Sequence, residues 1–206
     1  MAGISSLPVV MQYQVRPMRV SDVDAILQAQ ALAYPQFLLE GAGFFLNRLA
    51  LAPQYCWVAQ PGTPMSSGGL LGYLISYPWD AGLPPALDVP LPALPARADH
   101  WFLHDCAVVP AAQGTGVGQA LVGAAAASAM DNGLTRASLV SLASAAGYWL
   151  RHGYAPLAPQ TPGLAEKLAG YGEGASYMSR LSLPGRTPVA RLTASPNPCT
   201  GALAWT

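Results

Sequence analysis

The chain has 206 residues, which is enough for one domain with a sizeable core, or for one domain and a tail. Ten basic and ten acidic side chains balance each other, and Lys and Arg do not cluster. This balance gives no electrostatic support to a nucleic-acid partner or an anionic membrane surface, so we expect neither. The N-terminus lacks the pattern of a secretory signal, and the apolar stretch 137–150 is too short to cross a membrane, which favours a cytoplasmic protein.

The cysteines are odd in number and widely spaced, at Cys56, Cys106 and Cys199, without the paired spacing of metal ligands. We therefore expect free thiols and no metal site. Cys106 lies in an apolar run without flanking residues that favour a nucleophile, and we interpret it as a small buried hydrophobe.

The N-terminal half predicts helices and antiparallel strands. Residues 1–12 show little pattern and are expected to lead into a single domain over residues 13–183. Ser21 and Asp24 have the spacing of a capping box and predict the start of a helix. The other elements predicted here are an edge strand that tolerates a proline, a second apolar helix, and two hairpin strands joined by a turn at 61–68: Tyr13–Met18, Phe44–Leu51, Tyr55–Gln60 and Gly69–Tyr77.

Two stretches without periodicity are candidate walls of a pocket. The connection after the first helix is aromatic, and in it Tyr34, Phe37 and Glu40 are candidate substrate-binding residues. Core packing for the two rings, and a solvated acid at a helix start for Glu40, are the simpler alternatives. Residues 78–100 contain six prolines and form either a functional loop, from which Trp79 would reach a substrate, or a stiff connector.

A buried strand is predicted at Trp101–Val109, where apolar and β-branched residues dominate until Pro110. A glycine-rich loop follows, and a helix is predicted from about Val117 to Asn132, with Gly133 as its stop. Alternating glycines let backbone amides converge on one point, and the helix start adds unpaired N–H groups. The loop therefore favours a phosphate.

Two common phosphate loops do not fit this pattern. Gln119 stands where the dinucleotide fingerprint needs its third glycine, and Val117-Gly118 stand where a nucleoside-triphosphate loop needs Lys and then Ser or Thr. A glycine-rich turn without any ligand stays open at this point.

A strand at Ala137–Leu142 follows the helix and completes a strand, helix, strand unit, which implies a parallel pair. Residues 184–206 are rich in Pro, Thr, Ser, Ala and Gly and predict a disordered tail. Thr161–Gly174 is expected to hold a helical turn, and the remaining elements are a short helix and two strands: Ala145–His152, Tyr154–Leu157 and Ser176–Leu183.

Two motifs resemble the GNAT superfamily of acetyl-coenzyme A-dependent N-acetyltransferases. The first is the family's Q/R-x-x-G-x-G/A, here Gln113-Gly114-Thr115-Gly116-Val117-Gly118 after Val108-Val109-Pro110. The second is an aromatic pair, a basic residue and a Gly-aromatic step, here Tyr148-Trp149-Leu150-Arg151-His152-Gly153-Tyr154. The chain also looks like a bacterial subgroup with an L-H-D central strand, Leu103-His104-Asp105, and a Y-G-x-x-A-x-Y-M ending over 171–178.

The resemblance implies an α/β (α+β) fold: a GNAT-like mixed, mostly antiparallel twisted sheet with a splayed central parallel pair and flanking helices. It implies acetyl-coenzyme A as cosubstrate, with a backbone amide near Val108 polarising the thioester. A primary amine of a small molecule or a peptide would attack that thioester directly. The oligomeric state does not follow from the sequence, and a homodimer is one alternative. The residues implied for binding the coenzyme are Val108, Val109, Gln113, Gly114, Thr115, Gly116, Val117, Gly118, Gln119, Ser144, Tyr148 and Arg151.

The candidate catalytic residues are His104, Asp105 and Tyr148. Strand alternation predicts that His104 and Asp105 point to opposite faces, so that at most one faces the cleft. Histidine suits a general base, whereas the aspartate would attract a cationic amine or orient the imidazole; a histidine packed under a helix is the simpler alternative. The family's usual acid is a tyrosine where this chain has Trp149, so the source of a proton stays open.

N-acetyltransferase function is the leading hypothesis, with two alternatives from other classes. Loss of the family's tyrosine would suit a coenzyme A-binding module with little catalytic activity. The proline-rich loop and the tail would suit an interaction domain that recruits a partner.

Overall fold

The computed structural model describes residues 12–62, 69–80, 83–158 and 162–183. The strands within these ranges form one sheet with the order β1-β2-β3-β4-β5-β7-β6, in which every neighbouring pair is antiparallel except β4 and β5. The predicted mixed sheet with a central parallel pair is therefore confirmed. The strands are β1 (Tyr13–Pro17), β2 (Cys56–Pro61), β3 (Gly72–Trp79), β4 (His100–Val108), β5 (Arg136–Ser141), β6 (Ala155–Pro156) and β7 (Ser176–Arg180).

Helices flank both faces of the sheet. Those in the described ranges are α1 (Val23–Ala33), α2 (Ala42–Leu51), α3 (Val117–Asp131), α4 (Ala146–Arg151) and α5 (Pro162–Ala169). On one face Phe45 of α2 contacts the ring of Tyr73. On the other face Leu121 of α3 lies beside Gly72, and successive strand residues point to opposite faces. None of the helices described is long and apolar enough to cross a membrane.

Helix α3 follows its sequence signals closely. The apolar face predicted for it is buried against the sheet, and Asn132 N–H bonds close its last turn. Gly133 follows with φ of 80°, the left-handed conformation in which glycine commonly ends helices. The helix therefore starts and stops where local chemistry predicts.

Strand β4 contains one residue more than the strand it pairs with. Asp105 lies opposite Ile75 and Leu103 lies opposite Ser76, so His104 has no partner position on β3. This is a β-bulge, which bends its strand and re-aims the side chains around it.

The parallel pair separates at the same level. Pairing between β4 and β5 ends at Leu103 and Leu139, although β4 continues to Val108. The splayed pair expected from the resemblance is present, and residues 104–108 form its open edge.

The start of α1 differs from the prediction. Ser21 is exposed, and a short 3-10 helix at Val20–Asp22 precedes α1. Asp22 provides the capping carboxylate, because it accepts the N–H of Arg19 at 2.8 Å. The same carboxylate holds the guanidinium of Arg16 by two contacts of 2.7 Å. The capping box on Ser21 and Asp24 is therefore wrong, since the tie to β1 selects a different acid.

Other differences concern the extent of elements. The helical turn expected within Thr161–Gly174 is the eight-residue helix α5. Strands β6 and β7 are shorter than predicted, with two and five residues. The lead-in before Gln12, most of the turn at 61–68 and the tail at 184–206 lie outside the described residues.

We expect Asp22→Ala to lower the free energy of unfolding by about 1–3 kcal/mol, because it removes the cap and the carboxylate that pairs with Arg16. Ser21→Ala is the matched control, with an expected change of no more than about 0.5 kcal/mol. Denaturant titration of both variants measures the difference, and equal effects would contradict the role of Asp22.

The effect of Asp22 also depends on pH. Burial alone would raise the pKa of Asp22, but the hydrogen bonds from Arg16 and Arg19 outweigh it and hold the pKa below its ordinary value. A lowered pKa stabilises the folded state above the unfolded pKa and stops doing so in acid. The difference between Asp22→Ala and wild type should therefore shrink as the pH falls through the lowered pKa.

Candidate active site

The gap between β4 and β5 opens into a cavity of about 680 Å³. Gly114 and Gly116 of the loop after β4 line it, and so do Tyr34, Glu40 and Asp105. The edge of β4 that is not paired with β5 runs from the carboxylates to the glycine loop. One cavity therefore connects the glycine loop to a pair of carboxylates.

The glycine loop presents backbone N–H groups at the start of α3. Gly114 and Gly116 have φ of 76° and 90°, a conformation that side chains disfavour. Gly116 is the N-cap of α3, and the first turn of a helix has N–H groups without acceptors inside the helix. The N–H groups of Gln113 and Thr115 donate to carbonyls three residues earlier, so these two amides serve the loop itself.

The edge of β4 directs backbone groups into the gap. Val109 N–H donates to Leu71 O at 3.0 Å, on the β3 side. Successive residues of an antiparallel strand direct their N–H and C=O groups to alternate sides, so Val108 N–H points toward the gap. Gln113 Nε2 donates to Val108 O at 3.2 Å, which is consistent with this direction.

Asp105 lies at the carboxylate end of the cavity between two tyrosines. Tyr34 Oη donates to Asp105 Oδ1 at 2.6 Å, and Tyr73 Oη donates to Oδ2 at 2.5 Å. Burial and the charge of Glu40 raise the pKa of Asp105 to about 6, although the two tyrosine hydrogen bonds act in the opposite direction. The carboxylate therefore changes protonation close to neutral pH.

His104 is buried and has partners on both ring nitrogens. Its Nδ1 lies 2.8 Å from Tyr77 Oη, and its Nε2 lies 3.0 Å from Glu40 Oε1. A carboxylate only accepts hydrogen bonds, so the Nε2 beside Glu40 carries a proton. Glu40 Oε1 also accepts the N–H of Asp88 at 3.0 Å. This arrangement resembles the packed histidine that the sequence analysis gave as the alternative to a general base.

The alternation predicted for His104 and Asp105 is wrong, because both side chains line the same cavity. The bulge at His104 interrupts the two-residue period of β4, which the prediction had assumed to be regular. Sequence alone does not reveal where a strand carries an extra residue.

The second motif forms α4 beside the donor end of the cavity. Trp149 is buried and packs edge-on against Tyr148 and Tyr154, with ring centroids 4.9 and 5.3 Å apart. The Tyr148 hydroxyl is buried without a hydrogen-bond partner among the described residues, and it lies 3.8 Å from where a Cβ on Gly118 would be. Mainly through burial, the pKa of Tyr148 rises to about 12. His152 stacks on the Tyr148 ring at 4.1 Å.

The remaining predicted residues divide into two groups. The predicted coenzyme residues that line the cavity are Val108, Gln113, Gln119, Ser144, Tyr148 and the three glycines. The side chains of Val109, Thr115, Val117 and Arg151 are not part of its wall; Val117 belongs to the core and Arg151 is exposed.

The four candidate substrate residues also divide. Tyr34 and Glu40 line the cavity, as predicted. The structure does not bring Phe37 or Trp79 to it: Phe37 is 63% exposed, and the Trp79 indole donates to Leu83 O at 3.1 Å. Trp79 therefore anchors the proline-rich segment rather than lining the cavity.

Several cavity residues were not assigned from sequence. They include Tyr171, although its motif was recognised, and Leu87 of the proline-rich segment, whose only signal was the length of that loop. Cys106 also lines the cavity, and burial raises the pKa of its thiol to about 12, which disfavours a nucleophile. Among the residues described, no group of three or more His, Cys, Asp or Glu could hold a metal ion.

Solved structures share this fold at low sequence identity. The loading GNATL domain of CurA from Lyngbya majuscula has a TM-score of 0.65 and 14% identity, covering 84% of this chain and 98% of its own. The GphF GNAT-like decarboxylase in complex with isobutyryl-CoA has a TM-score of 0.60 and 20% identity, covering 83% and 100%. Rv2747 from Mycobacterium tuberculosis, in complex with CoA and NLQ, has a TM-score of 0.59 and 23% identity, covering 82% and 99%.

The chain belongs to the acetyltransferase (GNAT) family, whose model matches residues 23–154, more than half of its length. No curated protein matches it significantly.

We expect Glu40→Ala to lower the free energy of unfolding by about 1–3 kcal/mol, because it leaves the buried ring N–H of His104 without its acceptor and removes the acceptor of the more exposed Asp88 N–H. Glu40→Gln is the matched control. Its amide oxygen still accepts from Asp88, and its NH₂ group pairs with His104 in the other tautomer, so less than about half of the loss is expected. Equal losses in denaturant titrations would show that these hydrogen bonds contribute little.

Proposed function

We propose that this protein is an N-acetyltransferase, which transfers an acetyl group from acetyl-coenzyme A to a primary amine of a small molecule or a peptide by direct attack. The observation that carries this proposal is the single cavity that joins the glycine loop to Asp105. The family shows the acetyltransferase class, and the carboxylates at the far end suit a cationic acceptor.

The donor end fits a pyrophosphate. Gly116 lies at φ of 90°, and a Cβ there would come within 3.3 Å of Tyr13 Oη, so a side chain would crowd the cradle. The amides of Gly114, Gly116, Val117 and Gly118 would hold the phosphates, with the helix dipole behind them. Gln119, Ser144 and Tyr148 would contact the rest of the coenzyme as cavity walls.

Acetyl-coenzyme A would supply the acetyl group as a thioester. Val108 N–H, directed into the gap, would donate to the thioester oxygen as negative charge develops there. An acceptor that arrives as an ammonium ion would first release one proton to solvent. The neutral amine nitrogen would then form the new C–N bond as the C–S bond breaks, and the second proton would pass to Asp105.

Asp105 suits the base role better than His104. Its carboxylate retains lone pairs beyond the two that the tyrosines use, and its pKa of about 6 leaves it mostly ionised at pH 7. His104 has both ring nitrogens occupied, with a side chain only 1% exposed. We assign His104 the task of orienting Glu40 and Tyr77 beside Asp105.

A protein acid for the leaving thiolate is not required. An ordinary thiol has a pKa of about 8.5, well below the pKa of about 12 at Tyr148, so proton transfer from this tyrosine would be uphill. The thiolate would take its proton from solvent, and Tyr148 would serve as a contact for the coenzyme.

Two other functions are less well supported. A decarboxylase such as GphF acts on a substrate that carries a carboxylate, which the charges of Asp105 and Glu40 would repel. A coenzyme A-binding module would bind the coenzyme without turnover. Thiol release measured over a panel of primary amines, beside calorimetric titration with acetyl-coenzyme A, separates this module from an enzyme, since binding without release on any amine would contradict our proposal.

We expect Gly116→Val to weaken coenzyme A binding by about tenfold or more, because a β-branched side chain at positive φ strains the loop and crowds the phosphates. Gly123→Ala on α3 is the matched control, since a Cβ there meets nothing within 4 Å. Calorimetry measures both affinities, and thermal unfolding verifies that both variants fold. Undiminished affinity in a folded Gly116→Val would refute the cradle.

We expect Asp105→Asn to lower kcat/KM for amines by about 100-fold or more, with coenzyme A affinity unchanged. In wild type, Asp105 is protonated below its pKa, so kcat/KM should fall as the pH drops through about 6. The variant should lack this acidic limb, whereas Asp24→Asn on the exposed side of α1 should retain it. An acidic limb that persists in Asp105→Asn would assign the base to another residue.

A further inference from the structure

A second cavity of about 520 Å³ adjoins the first. It lies between residues 83–87 of the proline-rich segment and helix α5. Its walls are largely apolar, with Leu83, Pro85 and Ala86 on one side, whereas Glu166 and Lys167 of α5 line the other. Leu87 and Tyr171 line both cavities. These two side chains therefore lie at the junction of the two spaces.

Tyr171 carries a buried hydroxyl that lacks a hydrogen-bond partner among the described residues. The residue is 9% exposed, and burial together with the charges of Glu40 and Asp105 raises the pKa of its hydroxyl. Tyr171 lines the same cavity as these two carboxylates. An unpaired buried hydroxyl is unfavourable, and a bound ligand with an N–H group would satisfy it.

Hydrogen bonds fix the side of this junction that the proline-rich segment forms. Asp88 has φ of 52°, which is uncommon for a residue other than glycine, and two hydrogen bonds maintain it. Asp88 N–H donates to Glu40 Oε1 at 3.0 Å, and Asp88 Oδ1 accepts Gly41 N–H at 2.7 Å. On the α5 side, Lys167 Nζ donates to Pro84 O. The wall beside Leu87 is thus tied both to the active site and to α5.

We propose that the second cavity is the distal part of the acceptor site, and that Tyr171 holds the amine at the junction. The acceptor is then a primary amine on an elongated apolar body. This inference rests on the proposed acetyltransferase function. The attacking nitrogen needs its lone pair for the thioester carbon, and its remaining N–H groups have Tyr171 Oη and Asp105 as acceptors. The apolar body lies against Leu87 and the side chains beyond it.

The distal cavity is tested with Ala86→Trp, because Ala86 is exposed and lines the second cavity but not the first. Rates of thiol release are measured with propylamine and with octylamine at a fixed acetyl-coenzyme A concentration. Blocking the apolar space should lower kcat/KM for octylamine by about tenfold or more and leave propylamine within about twofold. Ala165→Trp, an exposed residue of α5 outside both cavities, is the matched control and should change neither rate.

The role of Tyr171 is tested with Tyr171→Phe, which removes only the hydroxyl. The KM for both amines should rise by about threefold to tenfold, while kcat and coenzyme A affinity stay unchanged. Tyr154→Phe is the matched control, since Tyr154 also has a buried hydroxyl without a partner in the described part but does not line the cavity. It should leave the KM for amines unchanged.

The outcomes separate this inference from the proposed function. A wild-type protein that releases thiol with other primary amines of the panel but not with octylamine overturns this inference alone, whereas release with no amine of the panel contradicts the proposed function as well. A wild-type protein that acetylates both, with Ala86→Trp slowing them equally or not at all, overturns the distal cavity alone. Equal KM changes in Tyr171→Phe and Tyr154→Phe overturn the role of Tyr171.

Discussion

The hydrogen bonds between β4 and β5 end at Leu103, and the arrangement of the site depends on the position of this end. The extra residue at His104 bends β4 at this level, so that the strand keeps its pairing with β3 while it leaves β5. The freed edge lines one side of the cavity, and the same bulge turns His104 and Asp105 toward one space. A regular strand would have kept the sheet closed and put one of these side chains on the opposite face.

The parts of the fold that were predictable are those with local causes. Helix α3 begins after a glycine N-cap and ends at Gly133, because glycine tolerates the conformations required at both ends. The parallel pair follows from one strand, helix, strand unit. Three other features have tertiary causes. The bulge depends on the pairing of β4 with β3, and the cap at Asp22 depends on an arginine of β1. The cavity wall at Leu87 depends on a loop that Glu40 fixes. Motif spacing detects residues that act together within one stretch of sequence, such as the glycine loop. It does not detect Tyr73 and Tyr77, because they bond to residues of a neighbouring strand.

The acceptor end concentrates buried charge in an ordered chain of contacts. Glu40, His104 and Tyr77 are linked by hydrogen bonds, and the guanidinium of Arg48 lies 5.2 Å from the Tyr77 ring and 4.3 Å from the Phe44 ring. Arg48 is fully buried, and its hydrogen bonds go to neutral groups, Asn47 Oδ1 and Val89 O. The positive charge of Arg48 and the negative charge of Glu40, on opposite sides of these rings, balance each other. Asp105 is left as the carboxylate whose charge faces the cavity.

This balance gives the two ends of the cavity different proton chemistry. At the donor end Trp149 is buried between two tyrosine rings, and an indole N–H does not serve as an acid at neutral pH. Tyr148 holds its proton more tightly than a thiol does. At the acceptor end, Asp105 titrates near pH 6, so at neutral pH it is mostly ionised and able to accept a proton. The protein would therefore control the proton of the incoming amine and leave that of the departing thiolate to water, so that acceptor binding rather than leaving-group chemistry would govern which substrates react.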